Sequence, residues 1–322
     1  MMRSILVTGI GGVVGQGILR NLRAMNLEVH IVGTNTQQVS AGNHLCDHVF
    51  QIPFAYDKGY IAAIRELSFL HKIELIIPST DYEAYYLSLN QATLPSKVAA
   101  SPPEITAFCL DKYLNYEKFA EFGLPFAPSI LPSRYKGEFE RTIVKPREGR
   151  GSRNIAVDPL SLTDFGDDYV VQEYLDGPEL TTAFYVLQTG KLHGFITLER
   201  ELEQGNTSRC EVVSNYDEAM SEILHQIVAN FPFRGSCNIQ SRVTKNGIIP
   251  FEINCRISGT NSIRSQLGFN DVAYTIQELF LNQPPDPPQI RKGSALRIIL
   301  DVIYPDKSLS EISNRNDDFW IF

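Results

Sequence analysis

Residues Pro250-Phe251-Glu252-Ile253-Asn254-Cys255-Arg256 alternate apolar and polar, so an extended strand here puts Glu252, Asn254 and Arg256 on one face. A preceding run, Cys237-Asn238-Ile239-Gln240-Ser241-Arg242-Val243, alternates in the same way, and Lys245-Asn246-Gly247 lies between the two. A three-residue loop with Gly247 in the left-handed position pairs Val243 with Ile249 and Ile239 with Ile253. That register sets Gln240 opposite Glu252 and Asn238 opposite Asn254. A two-residue loop shifts the pairing by one and turns Gln240 to the wrong face, so the longer loop is expected.

A carboxylate, two amides and an arginine on one sheet face suit a magnesium nucleotide. Mg²⁺ takes hard oxygen ligands, keeps some of its waters, and needs few protein groups once phosphate oxygens join it. The arginine would hold the negative charge of a phosphoryl group in transfer. The competing reading is a half-exposed sheet whose polar face meets water.

A second group of candidates precedes these. Thr142-Ile143-Val144-Lys145-Pro146 reads as a strand carrying a lysine, followed by Arg147-Glu148-Gly149-Arg150-Gly151-Ser152-Arg153 and a returning strand over 154–157. Lysine, a glycine-bearing loop with serine and arginines, then strand return can close on phosphates, with backbone amides and cations as donors. Lys112 stands in the first turn of a helix over 111–119, where a cation is unfavourable unless an anion neutralises it.

The elements that must position these groups alternate strand and helix in the first hundred residues. Strands are expected over 4–8, 28–33, 49–51 and 75–78, with helices to about Met25, over 60–70, and over 81–90 capped by Thr80 or Asp81. That order predicts a parallel, Rossmann-like sheet with helices on both sides. Its first turn, Thr8-Gly9-x-x-Gly12-x-x-Gly15, invites a nicotinamide reading. However, Gly33-Thr34-Asn35 stands where an acidic residue should hold the ribose, and no lysine has a tyrosine four residues before it. Asp81 and Glu83 lie where an α/β sheet binds ligands, although helix capping explains them better.

Ser101-Pro102-Pro103 marks a boundary. Further on, Gln204 to Arg209 reads as a polar loop over the triphosphate or the acceptor, with Arg200 and Arg209 as anion holders. Met220, Ile223, Leu224 and Ile227 form the inner stripe of a helix over 217–230, residues 272–281 a core helix, and Ala295 to Ile303 a closing strand. Arg264 could receive a substrate carboxylate. The apolar end, Phe319-Trp320-Ile321-Phe322, is expected to dock on the body, form an interface, or mark a shortened chain.

Composition narrows the class. At 322 residues and a net charge of −8, the chain has room for two or three lobes and no broad nucleic-acid surface. No apolar run approaches membrane-spanning length, and the N-terminal apolar stretch runs into the glycine turn without a cleavage site. Five scattered cysteines without metal-site spacing point to the cytoplasm.

From about Leu110 to Leu281 the order and spacing of these motifs resemble the ATP-grasp superfamily, nearest to the modules of the carbamoyl-phosphate synthetase large subunit and single-module carboxylate–amine ligases. The resemblance implies α/β lobes: a Rossmann-like domain over 1–102, a small ATP-grasp lobe with its leading helix over 103–175, and a large lobe with the Mg-binding sheet over 176–322. It implies that Lys112 and Lys145 contact phosphates and that Glu148, Gly149, Gly151 and Ser152 belong to the phosphate flap. Glu173 would meet the adenine amino group, the backbone of Tyr174 and Leu175 would line the base, and Glu179 would hold the ribose. Gln240, Glu252 and Asn254 would bind Mg²⁺, with Mn²⁺ as a substitute, while Arg256 with Lys145 and Arg264 would serve the transfer.

Glutamine at 240 departs from most of the superfamily and looks like the synthetase modules; it lacks the charge that a two-metal site wants. The implied activity is an ATP-dependent ligase that phosphorylates a carboxylate for attack by an amine or similar nucleophile, with small-molecule partners and homodimerisation as a compatible assembly. The rival readings are a nucleotide-binding protein without turnover and an NAD(P)-dependent oxidoreductase using the glycine turn.

Overall fold

The computed structural model describes residues 3–149 and 153–322. The first sheet is built from β1 (Arg3–Val7), β2 (Val29–Asn35), β3 (His48–Gln51), β4 (Ile73–Ile77) and β5 (Lys97–Val98), in the order β3-β2-β1-β4-β5 and parallel throughout. Helices α1 (Val13–Ala24), α2 (Tyr60–Leu70) and α3 (Asp81–Leu89) connect these strands. Ile5, Leu6 and Val7 are fully buried, as befits a central strand covered on both faces. Thr80 caps α3 in a reciprocal box with Glu83.

α4 (Pro103–Leu110) and α5 (Lys112–Glu121) lead into a four-stranded antiparallel sheet. It contains β6 (Ser129–Ile130), β7 (Thr142–Pro146), β8 (Ala156–Val157) and β9 (Tyr169–Glu173), ordered β6-β9-β7-β8. The third sheet comprises β10 (Glu179–Val186), β11 (Leu192–Glu203), β12 (Asn206–Val212), β13 (Gly235–Thr244), β14 (Gly247–Asn254) and β15 (Ser294–Leu296), all antiparallel in the order β14-β13-β10-β11-β12-β15. α6 (Asp217–Asn230) buries the expected stripe of Met220, Ile223, Leu224 and Ile227 against it. α7 (Asn261–Arg264) and α8 (Asp271–Thr275) follow β14, and α8 continues into a wider turn over Ile276–Phe280.

Two apolar cores join these sheets. Phe108 and Phe119 of α4 and α5 pack with Phe184, Ile239 and Ile253 of the large antiparallel sheet. Val272, Ile276 and Phe280 join Ile5 and Ile77 of the parallel one and Ile18 of α1.

The β13–β14 hairpin reaches its functional register by an unexpected route. Thr244 pairs with Gly247, so the turn is the two-residue Lys245-Asn246, with Gly247 at φ 100°. Val243 consequently faces Ile248, and Arg242 faces Ile249. A bulge between the Gln240 and Ser241 rungs, where Ser241 faces Pro250, then restores Gln240 opposite Glu252 and Asn238 opposite Asn254. Pro250 has no N–H for the ladder, and a bulge is where a strand tolerates that. The expected three-residue loop is therefore replaced by a shorter turn plus one extra residue on β14.

Two other local expectations change. Gln204 and Gly205, both at positive φ, form the tight turn of the β11–β12 hairpin, so 204–209 is not an open loop. The closing strand is broken into β15 and β16 (Val302–Ile303). At the apolar end Phe319 docks edge-on to His44 and β17 (Trp320–Ile321) pairs with β16, while Trp320, Ile321 and Phe322 stay more than half exposed.

Candidate functional site

Lys145 projects from β7 and is almost fully buried where the two antiparallel sheets meet. Its ammonium donates to Gln172 Oε1 on β9 at 2.9 Å and to the Phe251 carbonyl on β14 at 3.2 Å. Gln172 in turn donates from Nε2 to Ser129 Oγ. Gln172 escapes a motif reading because its only signal is one inward polar residue following Val170-Val171.

Lys112 reaches the same place from α5. Asp111 caps that helix by accepting from the Tyr113 and Leu114 amides, and it ion-pairs with Arg147. The Lys112 amide donates to the Arg147 carbonyl at 2.9 Å, and its ammonium approaches the Gly149 carbonyl at 3.4 Å. The start of the flap is thereby stitched to the helix start. One turn on, Asn115 Oδ1 accepts the Ile253 amide, fixing the strand beside Glu252; sequence reasoning missed this residue as well. Glu148 and Gly149 line the cleft. Arg150, Gly151 and Ser152 lie outside the described residues.

Glu252, Gln240 and Asn254 stand together on the outward face of the sheet. Asn254 Nδ2 donates to Glu252 Oε1 at 3.2 Å. Burial alone would raise the Glu252 carboxyl, but Lys112 and Lys145, with the Asn254 hydrogen bond and Arg256, bring it below the ordinary carboxylate range. Burial drives the Lys145 ammonium down to about 8; Lys112 pushes the same way, while Glu252 and Glu179 oppose. Lys112, Lys145, Glu148, Glu173, Glu179 and Glu252 all open on one cavity of about 1760 Å³.

The Gln240 oxygen is already engaged, accepting from Arg200 Nη2 at 2.6 Å. Arg200 and Arg242 both ion-pair with Glu179 at 2.8 Å. The expected metal amide and ribose carboxylate thus belong to one buried network. A single carboxylate with the Asn254 amide oxygen fits one hard cation that completes its shell with phosphate and water. Gln240 brings no charge to a second metal, and both amide oxygens already accept a hydrogen bond, Gln240 Oε1 from Arg200 and Asn254 Oδ1 from Gln240 Nε2 at 3.4 Å. Among the described residues, no three His, Cys, Asp or Glu side chains converge on a metal position.

Glu173, Tyr174 and Leu175 line the cavity beside Ile143 and Leu202. The Tyr174 amide donates to the Arg141 carbonyl, which leaves it unable to serve as a donor to a base. Arg256 lines the cavity and pairs with Asp81 at 2.7 Å, while its Nε and Asp81 Oδ1 are buried without partners.

Arg264 is elsewhere. It is fully buried, donates to Ser258 and Thr260, and pairs with Asp271 at 2.6 Å, so the expected substrate-binding arginine is a core residue. Arg209 pairs with Glu201 on the surface.

The glycine turn has a packing explanation for part of its pattern. A Cβ on Gly15 would collide with the Gly9 carbonyl, and one on Gly17 with the Asn261 amide. Gly9, Gly11 and Gly12 nevertheless face the cavity.

A family model described as an ATP-grasp in the biosynthetic pathway with Ter operon matches residues 166–301. Solved structures superpose over almost the whole chain. N5-carboxyaminoimidazole synthetase from Staphylococcus aureus complexed with ADP gives a TM-score of 0.76 at 14% identity, covering 93% of this chain and 83% of that one. The chain has the ATP-grasp fold.

The biotin carboxylase domain of Hydrogenobacter thermophilus 2-oxoglutarate carboxylase, in complex with MgADP, ADP and bicarbonate, gives 0.72 at 13% identity over 91% of this chain and 74% of that one. An L-amino acid ligase from Bacillus licheniformis gives 0.69 at 12% identity over 86% and 74%. No match is found among curated protein sequences. In ATP-grasp terms, β6 to β9 are the small sheet and β10 to β15 the large one, with the cavity lined by both. Among the described residues, no helix is long and apolar enough to cross a membrane.

Proposed function

We propose that this ATP-grasp chain is an ATP-dependent ligase that transfers the γ-phosphoryl group of ATP to a carboxylate. A carboxylate oxygen bonds to the γ-phosphorus as the bond to the β,γ-bridging oxygen breaks, and ADP leaves. An amine or similar nucleophile then attacks the acyl carbon, phosphate departs, and the surplus amine proton passes to solvent. The observation that carries this reading is the convergence of the Lys112 and Lys145 ammonium groups with the Glu252 carboxylate on one cavity.

Each residue has a physical task. Lys112 and Lys145 neutralise phosphate charge, and Arg256 faces the reacting end, where charge accumulates during transfer. Glu252 with the Asn254 amide would hold Mg²⁺, which supplies charge neutralisation at the phosphates. Ile143, Leu175 and Leu202 offer an apolar slot for the base. In this reading residues 1–102 supply the acceptor wall, 103–175 the lid over the nucleotide, and 176–322 the sheet that carries Glu252. The chemistry is positioning and charge compensation, with no covalent enzyme nucleophile. Five buried free cysteines support a cytoplasmic setting, and the dimer named for the H. thermophilus domain supports a homodimer here.

Trapping with hydroxylamine tests the transfer independently of the natural nucleophile. Wild-type protein with Mg-ATP and a panel of carboxylic acids should yield hydroxamate and ADP in equal amounts. ADP release without hydroxamate from any acid would remove the acyl phosphate from the scheme.

A further inference from the structure

The cavity exceeds the needs of one nucleotide. Pockets for a single drug-sized ligand run roughly 300–1,000 Å³, against about 1760 Å³ here. Beyond Arg256 its wall continues onto the carboxyl ends of the parallel strands: the Gly9–Gly12 turn, Asn35, and the loop after β3.

That loop holds two aromatic rings in an arrangement that packing does not require. Phe54 and Tyr56 are 41% and 54% exposed, although Ile52 and Ala55 between and beside them are buried. Their rings are nearly parallel, with 5.4 Å between centroids and 4° between planes. Tyr82 meets Tyr56 edge-on at 5.5 Å. The backbone beneath is fixed: the Ile52 amide donates to the Asn35 carbonyl, the Asp57 amide to the Phe54 carbonyl, and the Phe54 amide to the Asp57 carboxylate. All three rings line the cavity. Exposed aromatic rings on a fixed loop are unfavourable in water, and a stacked pair is extended by an offset, flat π surface. On the same wall, Asn35 and Gln37 offer amide groups, which suits a ligand with polar ring atoms.

Resting on the ligase reading, we propose that the acceptor acid carries a flat aromatic or heteroaromatic ring. The ring lies on the Phe54–Tyr56 shelf, with its carboxylate turned toward Arg256. Aliphatic acids of equal size lack the complementary face and bind less well.

Benzoate and cyclohexanecarboxylate share a carboxylate and a six-membered carbon ring but differ in flatness, so they isolate the shelf. Affinities for the full chain saturated with a non-hydrolysable Mg-ATP analogue are measured by ligand-observed NMR titration. Benzoate should bind at least fivefold more tightly; Tyr56→Phe should keep that ratio, and Tyr56→Leu should abolish it with nucleotide affinity unchanged. Equal binding of the two acids, binding of neither, or a ratio that survives Tyr56→Leu overturns the shelf. Hydroxamate trapping separates this from the parent reading: a flat-acid preference without trapped product keeps the shelf and removes the ligase, whereas trapping confined to aliphatic acids does the reverse.

Discussion

Arg256 Nη2 lies 2.7 Å from Asp81 Oδ2, tying the strand that carries Glu252 to the first turn of the helix after β4. The two side chains are 14% and 11% exposed. Removing one member of a buried pair leaves the other uncompensated and costs about 3–5 kcal/mol, whereas removing both costs less. Asp81→Ala should therefore destabilise by about 3 kcal/mol, and Asp81→Ala with Arg256→Met by less than the sum of the single changes. Urea denaturation of the four proteins closes the cycle. Additivity within about 0.5 kcal/mol would mean that the two groups are not coupled.

Glu252→Gln keeps the side-chain size and an acceptor for Asn254 but removes the charge that balances Lys112 and Lys145. If Glu252 organises the phosphates, ADP release should fall on the order of 10²–10³-fold. Steady-state assay with hydroxylamine as nucleophile gives the number. Activity within a few-fold of wild type would place the metal and phosphates elsewhere.

Lys145 makes pH an informative variable. Its folded value is about 8, against ~10.4 for an unperturbed lysine. Between those values the unfolded chain binds a proton that the folded chain has released, so stability rises with pH in that window; below it the penalty for the buried ammonium is fully present. Nucleotide binding has the opposite sign. A triphosphate prefers the ammonium form, so affinity should fall as pH climbs through 8, by up to about tenfold per unit, with proton uptake on binding. Calorimetry at pH 8.5 in two buffers of different ionisation enthalpy measures that uptake directly. Lys145→Arg should flatten the dependence; an uptake of zero in the wild type contradicts it.

Arg264 illustrates a different consequence of burial. Fully enclosed with Asp271, which also accepts from Ser236, it belongs to the frame around α7 and α8. Arg264→Met should cost about 3–5 kcal/mol, and adding Asp271→Leu should restore part of that. The KM for Mg-ATP should stay within about twofold for any variant that folds, because neither residue lines the cavity. Thermal denaturation and initial rates check the two halves separately. A large change in KM with stability intact would return Arg264 to the site.

The sequence by itself determined the elements whose signal is local. Period-two alternation over 237–243 and 250–256 put Gln240, Glu252 and Asn254 on one face, and helical spacing named the buried stripe of α6. The alternating strands and helices of the first hundred residues likewise implied the parallel sheet. Even there, the route to the register was not legible, since a two-residue turn with a bulge ends in the same pairing as a three-residue turn without one.

Only the tertiary structure decided which charges meet. Arg256 and Arg264 stand eight positions apart with similar neighbours, yet one faces Asp81 across the cavity wall and the other is closed in with Asp271. Gln172, Asn115 and Arg200 act through partners brought to them by packing, among them Phe251, Ile253 and Glu179. A guanidinium or amide carries the same local pattern whether it meets water, a ligand or a buried carboxylate. What distinguishes these fates is the position of distant chain segments, which the residues near it in sequence do not encode.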